Sequence, residues 1–437
     1  MDLLLQKFDV VIIGGGILGT TISYWLSLSN LQTCVIEKET SVAQHASGRN
    51  TGVIHSPFYL DPQKKKTIAK AATVSHDLWR EFSISRNIPW GEFGTIEVAL
   101  DESQHKTLEK YLKWGTQNGI PENEIHLMDN NEVSKKEPNI SCHSGIYCSR
   151  DVSTDYGIMT RELCHHSQNN NVQFLFNHKI TGIKRINDSL ELHFSNNSSL
   201  ECKFLINCAG GSSLEIAKML GLARDYTSLH FRGEYWIAEK KHANLVNTNV
   251  YSVAKFTNFP FLDPHWIKRA NGTTEIGPNA VPVANPETYS GYVGNVSSAL
   301  SKLGQILSGG SKKLLTNPEF LSLVSKEWKS SLSKNAMVNR VKQFIPKVNP
   351  DFFLTRGTSG IRTPIISKQG EFVSEILELE GDNSLHLLNY NSPGATGAPA
   401  YSALIVKKLQ EKGVLNLDQK KKSFWNFDRI IDQINIS

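Results

Sequence analysis

Residues 9–37 constrain this chain more than any other stretch. Asp9-Val10-Val11-Ile12-Ile13 is an apolar, β-branched run suited to a strand buried on both faces. It enters Gly14-Gly15-Gly16-Ile17-Leu18-Gly19, after which Ile17, Thr20, Thr21, Tyr24, Trp25 and Leu28 recur at helical spacing. The spacing predicts a helix that breaks near Ser29-Asn30, then a second buried strand, Thr33–Ile36, ending on Glu37. In such a unit Gly14 permits the tight turn, Gly16 lets backbone approach a pyrophosphate, and Gly19 allows close helix–strand packing. The helix start, with Ile17 and Leu18 in its first turn, offers free N–H groups and the positive end of a dipole. Glu37 stands 21 residues beyond Gly16, where a carboxylate accepts hydrogen bonds from ribose hydroxyls and repels a 2′-phosphate. The pattern predicts a Rossmann-type dinucleotide site at the start of the chain.

The glycines alone do not choose between FAD and NAD. The next segment favours FAD. Lys38 is followed by a polar, glycine-punctuated loop, residues 41–55, where an NAD unit usually turns promptly into a helix. A long ordered loop generally has a binding reason. Within it His45, Ser47, Arg49, Asn50, Thr51 and Gly52 are the candidate cofactor contacts.

A chain of 437 residues outgrows a single core, so two structural domains are expected. A net charge of +5 mildly favours anionic substrates and gives no case for nucleic acid. The six cysteines form no CxxC pair and no metal-like grouping with histidines, so no metal is expected and a reducing compartment is. Neither a secretory signal nor an apolar run of about 18 residues is visible. A cytoplasmic protein is therefore expected, with peripheral contact at an inner membrane left open. The basic-aromatic stretch Lys420–Phe427 is better read as anchoring on the protein's own surface than on a membrane.

The segment from Glu37-Lys38 through Gln44-His45-Ala46-Ser47-Gly48-Arg49-Asn50-Thr51-Gly52-Val53-Ile54-His55 resembles the D-amino-acid-oxidase-like flavoproteins, and within them the L-2-hydroxyglutarate oxidase/dehydrogenase family. Further short likenesses follow in the same order, among them Lys136-Glu137-Pro138, Thr154-Asp155-Tyr156, Asn207–Gly210, Phe231–Tyr235, Ser359–Arg362 and Asn391–Thr396. The resemblance implies an α/β plus α+β architecture: a Rossmann-type FAD-binding domain and a mostly antiparallel β substrate domain. The FAD domain is expected from residues 1–80, 145–225 and 340–412, the substrate domain from 81–144 and 226–339, with 413–437 as a tail. Short strands are expected over 172–176, 180–185, 190–194 and 202–207. Helices are expected over 77–87, 104–119 and 400–410, and over 297–333 with a break at Gly309-Gly310.

The implied activity is oxidation of a small L-2-hydroxy acid, with L-2-hydroxyglutarate as the expected substrate and a quinone or oxygen taking the electrons. A base must receive the hydroxyl proton and cations must hold the carboxylate. His55 is the first candidate base, being an imidazole in the segment that the family sets beside the flavin, and His265 is the second. Arg362 and Arg232 are the candidate carboxylate forks, with Tyr251 and Asn258 lining the pocket. Ile180, Ala209, Gly210, Gly360 and Arg362 are further candidate cofactor contacts. Pro393, Gly394, Ala395 and Thr396 open a helix whose N–H groups suit the flavin's polar edge. Two other readings stay open: an amine or amino-acid oxidase of the same superfamily, and a flavin-bearing binding protein without turnover. The chain departs from the family at Ser56-Pro57-Phe58, at 251–259 and at Asp263-Pro264, where substrate would be read.

Overall fold

The computed structural model describes residues 6–255, 259, 261, 263–293, 296–417 and 421–435. Its architecture follows from two eight-stranded sheets. In the first, β1 (Gln6–Ile13) runs into α1 (Ile17–Ser27) and β2 (Thr33–Ile36). β1 pairs in parallel with β2 on one side and with the strand Ser199–Asn207 on the other. Gln173–Leu175 and Ser384–Leu388 extend the parallel core outwards. The parallel strands read as unbroken apolar runs because helices cover them: Val10, Val11 and Ile12 are fully buried. α1 is buried along its whole length.

The second sheet takes its strands from 95–99, 125–129, 144–148, 236–238, 249–252, 265–268, 274–277 and 353–356, and all but one of its pairings are antiparallel. The expected class, a Rossmann-type unit with a mostly antiparallel partner, is what the chain forms. Ser144–Cys148 and Phe353–Arg356 belong to this second sheet, so the crossings between sheets fall later than residues 145 and 340. A three-stranded sheet of Val281–Val283, His230–Gly233 and Gly360–Arg362 lies beside them.

The helix expected from 77 begins earlier, spanning Lys66–Ser85, and packs on the helix Gly394–Glu411. The lysines at 64–66 disguise its start: Lys64 and Lys66 are exposed, while the apolar face of the helix begins only at Ile68 and Ala69. The 297–333 region forms helices Val296–Ser308 and Pro318–Leu332, parted near Gly309-Gly310 as expected. The tail is more deeply built in than a surface anchor. Trp425 is 2% exposed and joins Tyr24, Trp25, Trp79 and Phe82 in the core cluster of the first sheet. Its indole Nε1 donates to the Leu78 carbonyl at 3.2 Å. Lys420 lies outside the described residues. No helix among the described residues is long and apolar enough to cross a membrane.

Candidate functional site

The glycine turn is built as its spacing demands. Gly14 has φ +109°, and a Cβ there would stand 2.5 Å from the Cys208 carbonyl oxygen. A Cβ on Gly19 would lie 2.0 Å from the Gly14 carbonyl oxygen, so the helix can start this close to the turn only with glycine there. Gly16 differs: its Cβ would meet only the Ser47 hydroxyl, at 3.1 Å, which leaves its backbone open to a ligand. Glu37 closes the turn from below. Its Oε2 accepts from Gly15 N–H at 2.8 Å and its Oε1 from Glu39 N–H at 2.9 Å.

From this turn a cavity of about 920 Å³ runs between the first sheet, the three-stranded sheet and the middle strands of the second. Gly14, Gly16, Ile17, Leu18, Glu37, Lys38, His45, Ser47, Arg49, Asn50, Thr51, Ile180, Ala209 and Gly210 line one end. His55, Tyr251, His265, Arg362, Pro393, Ala395 and Thr396 line the other, and Gly360, its Cβ position 2.2 Å from the Arg49 carbonyl oxygen, stands between the two. An elongated dinucleotide fits this layout. Gly16 leaves its backbone edge open apart from the Ser47 hydroxyl, and Gly210, with nothing within 4 Å of its Cβ position, leaves a second free backbone edge.

Three expected cofactor contacts do not line the cavity. Gly19 and Gly394 act in the packing of their helices, and Gly52 sits against the Thr154 carbonyl, where a Cβ would come within 2.2 Å. The loop after Glu37 is tied down by contacts that the sequence did not reveal. Ser47 Oγ accepts from the first helical N–H, Ile17, at 2.8 Å. Lys38 pairs with Glu287. The His45 ring bonds the Tyr289 hydroxyl at 2.7 Å, and the Arg49 guanidinium lies 4.1 Å from the Tyr289 ring centroid.

At the far end His55 follows the short strand Val53–Ile54. Its Nδ1 faces Asp151 Oδ2 at 3.3 Å, and among the described residues its Nε2 has no hydrogen-bond partner. Asp151 is completely buried and was not expected from sequence; it accepts from Ser56 N–H at 2.7 Å and from the Thr95 hydroxyl at 2.8 Å. His265 behaves differently. Its Nδ1 bonds the Asp263 carbonyl at 3.0 Å, and burial, with His55 and Arg362 close by, pushes its pKa down to about 3. A ring held neutral so far below pH 7 is a poor proton acceptor.

Arg362 faces the same space, its guanidinium drawn down in pKa by burial and held in the field of Tyr235 and Tyr59. Tyr251 is 7% exposed, and among the described residues its buried hydroxyl has no hydrogen-bond partner, an arrangement that burial makes costly. Arg232 is a correction. Its guanidinium bonds Glu234 at 2.8 Å and the carbonyls of Thr288 and Gly291, and it does not line the cavity. Asn258 lies outside the described residues. The departure at Asp263 has a structural reason, since its carboxylate bonds Lys326 at 2.8 Å and Arg340 at 2.5 Å and so pins the turn before His265.

Comparison with known proteins bears on the family and the fold. The family model described as FAD dependent oxidoreductase matches residues 9–408. L-2-hydroxyglutarate dehydrogenase from Indibacter alkaliphilus is 31% identical over 403 residues, covering 90% of this chain and 96% of that protein. The mitochondrial L-2-hydroxyglutarate dehydrogenase of Homo sapiens is 29% identical over 425 residues, covering 93% and 89%. Among solved structures, an L-alpha-glycerophosphate oxidase from Mycoplasma pneumoniae with FAD bound superposes with TM-score 0.73 at 23% identity, covering 97% of this chain and 98% of that one. Glycine oxidase from Geobacillus kaustophilus gives 0.67 at 15% identity, with the same coverage. The two structural likenesses bear on fold alone.

Proposed function

Because the chain belongs to the FAD dependent oxidoreductase family, we propose that it oxidises a small L-2-hydroxy acid, with L-2-hydroxyglutarate going to 2-oxoglutarate. The observation that carries this reading is one cluster: His55 with an open Nε2, Arg362, and the unpartnered Tyr251 hydroxyl around the cavity's inner end. An alcohol flanked by a carboxylate needs that set. The substrate's hydroxyl gives its proton to His55 Nε2, Arg362 takes the carboxylate, and the Tyr251 hydroxyl donates to a carboxylate or carbonyl oxygen. FAD, when bound, supplies the acceptor for the hydride leaving Cα. Gly16, the Ser47-capped helix start and Glu37 would hold its pyrophosphate and ribose. Relatives across nine-tenths or more of the chain that carry the name L-2-hydroxyglutarate dehydrogenase support the choice of substrate. A quinone or oxygen would take the electrons away.

Anaerobic bleaching of the flavin band tests the reading. The FAD-loaded protein is mixed with L-2-hydroxyglutarate, its D-enantiomer, L-malate, L-lactate, glycine and sarcosine. Rapid bleaching by L-2-hydroxyglutarate alone is expected. Bleaching by glycine or sarcosine alone would move the chain to amine oxidation.

A further inference from the structure

We infer that Asp151 is the positioning residue of this site: it holds His55 in the tautomer that carries its proton on Nδ1, so that the Nε2 lone pair faces the cavity. The inference deepens the proposed oxidation and rests on it for the identity of the proton donor, but the tautomer itself does not.

The geometry begins with a carboxylate that has little freedom. Asp151 is 0% exposed, and donors from two directions fix it. Ser56 N–H bonds Oδ1 at 2.7 Å, from the residue next to His55. The Thr95 hydroxyl bonds Oδ2 at 2.8 Å, from a strand of the second sheet. The Asp151 backbone is held as well, its carbonyl accepting from Gly94 N–H at 3.0 Å. What remains of Oδ2 meets His55 Nδ1 at 3.3 Å. An unprotonated Nδ1 would set two lone pairs against each other in a buried space, whereas an Nδ1–H turns the same contact into a hydrogen bond. The backbone N–H of His55 donates to the Thr396 hydroxyl at 3.2 Å, which steadies the ring from the flavin-facing helix start.

His265 supplies an internal comparison. It makes the same kind of Nδ1 contact, but to a backbone carbonyl, at 3.0 Å. A carbonyl fixes a tautomer without balancing a positive ring. A carboxylate does both. Two histidines in one cavity thus divide the work: His265 stays a neutral wall, and His55 has the partner that lets it hold a proton. In the reaction the substrate O–H bond breaks, its proton goes to Nε2, and the electron pair stays on oxygen as the C=O bond forms. Bound FAD would supply the acceptor for the hydride from Cα. Asp151 keeps its own place throughout and offsets the charge on the imidazolium.

Two-bond ¹H–¹⁵N correlation on FAD-loaded protein labelled with ¹⁵N-histidine reads the tautomer directly. The His55 signals are identified by their loss in His55→Gln. The native protein is expected to show His55 neutral with its proton on Nδ1, and Asp151→Asn to shift it to Nε2–H or a mixture. In the same variant, flavin bleaching by L-2-hydroxyglutarate is expected to slow at least tenfold, with the oxidised flavin spectrum unchanged. A native His55 carrying its neutral proton on Nε2 overturns the inference whether or not Asp151→Asn folds. So does an Asp151→Asn protein with the native tautomer. The expected tautomer in a protein that no 2-hydroxy acid bleaches removes the substrate and leaves the positioning role standing.

Discussion

Tyr251 and His265 lie on neighbouring antiparallel strands with rings stacked, their centroids 4.1 Å apart and their planes 27° from parallel. The stack fixes the Tyr251 ring while its hydroxyl is left unsatisfied. A buried donor held rigid and unpaired is poised for a ligand atom. Tyr251→Phe is expected to weaken binding of 2-oxoglutarate by roughly tenfold to a hundredfold, the value of a hydrogen bond to a charged group. FAD content should not change, and thermal stability should hold or rise, since an orphaned hydroxyl is removed. Perturbation of the flavin spectrum by added 2-oxoglutarate measures the affinity. An unchanged Kd would mean that the hydroxyl faces water in the complex.

Arg362 should separate charge from geometry. A lysine at 362 keeps the positive charge and loses the planar fork. Arg362→Lys is expected to raise KM for the hydroxy acid about tenfold or more, with a smaller change in kcat. Steady-state kinetics with an artificial acceptor reads both. A fall in kcat alone, at constant KM, would assign Arg362 to the flavin rather than to the substrate carboxylate.

How much of this site was legible depended on distance along the chain. The glycine turn and Glu37 sit in one short βαβ unit, where spacing alone implies geometry, and Gly14 and Gly19 do what that spacing required. Asp151 stands 96 residues from His55 and became its partner only when Val53–Ile54 paired with Val152–Ser153. No local pattern encodes that pairing. Arg232 was misread although a signal existed: Glu234 lies two residues on, the same-face spacing of a strand, and an ion pair follows from it. Tyr289 and Glu287, which bind the loop from across the cavity, left no trace in the sequence of the loop itself. The tail was underestimated because its lysines suggested solvent, whereas its aromatic residues decide where it packs.

Glu37 holds the backbone of Gly15 and Glu39 through its two carboxylate oxygens. Glu37→Ala is expected to weaken FAD binding by roughly tenfold or more, through both lost ribose contacts and a loosened turn. Glu37→Gln should lose less, because an amide oxygen still accepts from one of the two N–H groups. Recovery of flavin fluorescence on dilution gives the dissociation constants. Equal affinities in native and Glu37→Ala protein would exclude Glu37 from the nucleotide site.

Trp425 tests whether the C-terminal segment is structural. It contacts Trp79 with ring centroids 5.7 Å apart and Phe82 at 5.6 Å, inside the core that also buries α1. Trp425→Ala is expected to cost about 3–5 kcal/mol, as for other large core aromatics. Thermal unfolding followed by flavin release should shift down by several degrees. A midpoint that does not move would make the segment an appendage.

His386 gives the fold a pH dependence of known sign. It is fully buried in the strand Ser384–Leu388, accepts at Nδ1 from the Asn207 side-chain amide at 3.0 Å, and its Nε2 lies 3.2 Å from Ser384 Oγ. That pattern uses the neutral ring, and burial pushes its pKa down from 6.5 to about 4. Unfolding frees the ring to take up a proton, so the unfolded state binds more protons between those two values. Stability is therefore undiminished above about pH 6.5 and falls as pH drops towards 4, by up to about 1.4 kcal/mol per pH unit. His386→Gln removes this titration while keeping an amide able to bond Asn207. With FAD in excess, its melting temperature should decline less than the native one between pH 7 and 4.5. Parallel declines would mean that His386 takes up its proton in the folded protein as readily as in the unfolded one, at the expense of the bond from Asn207.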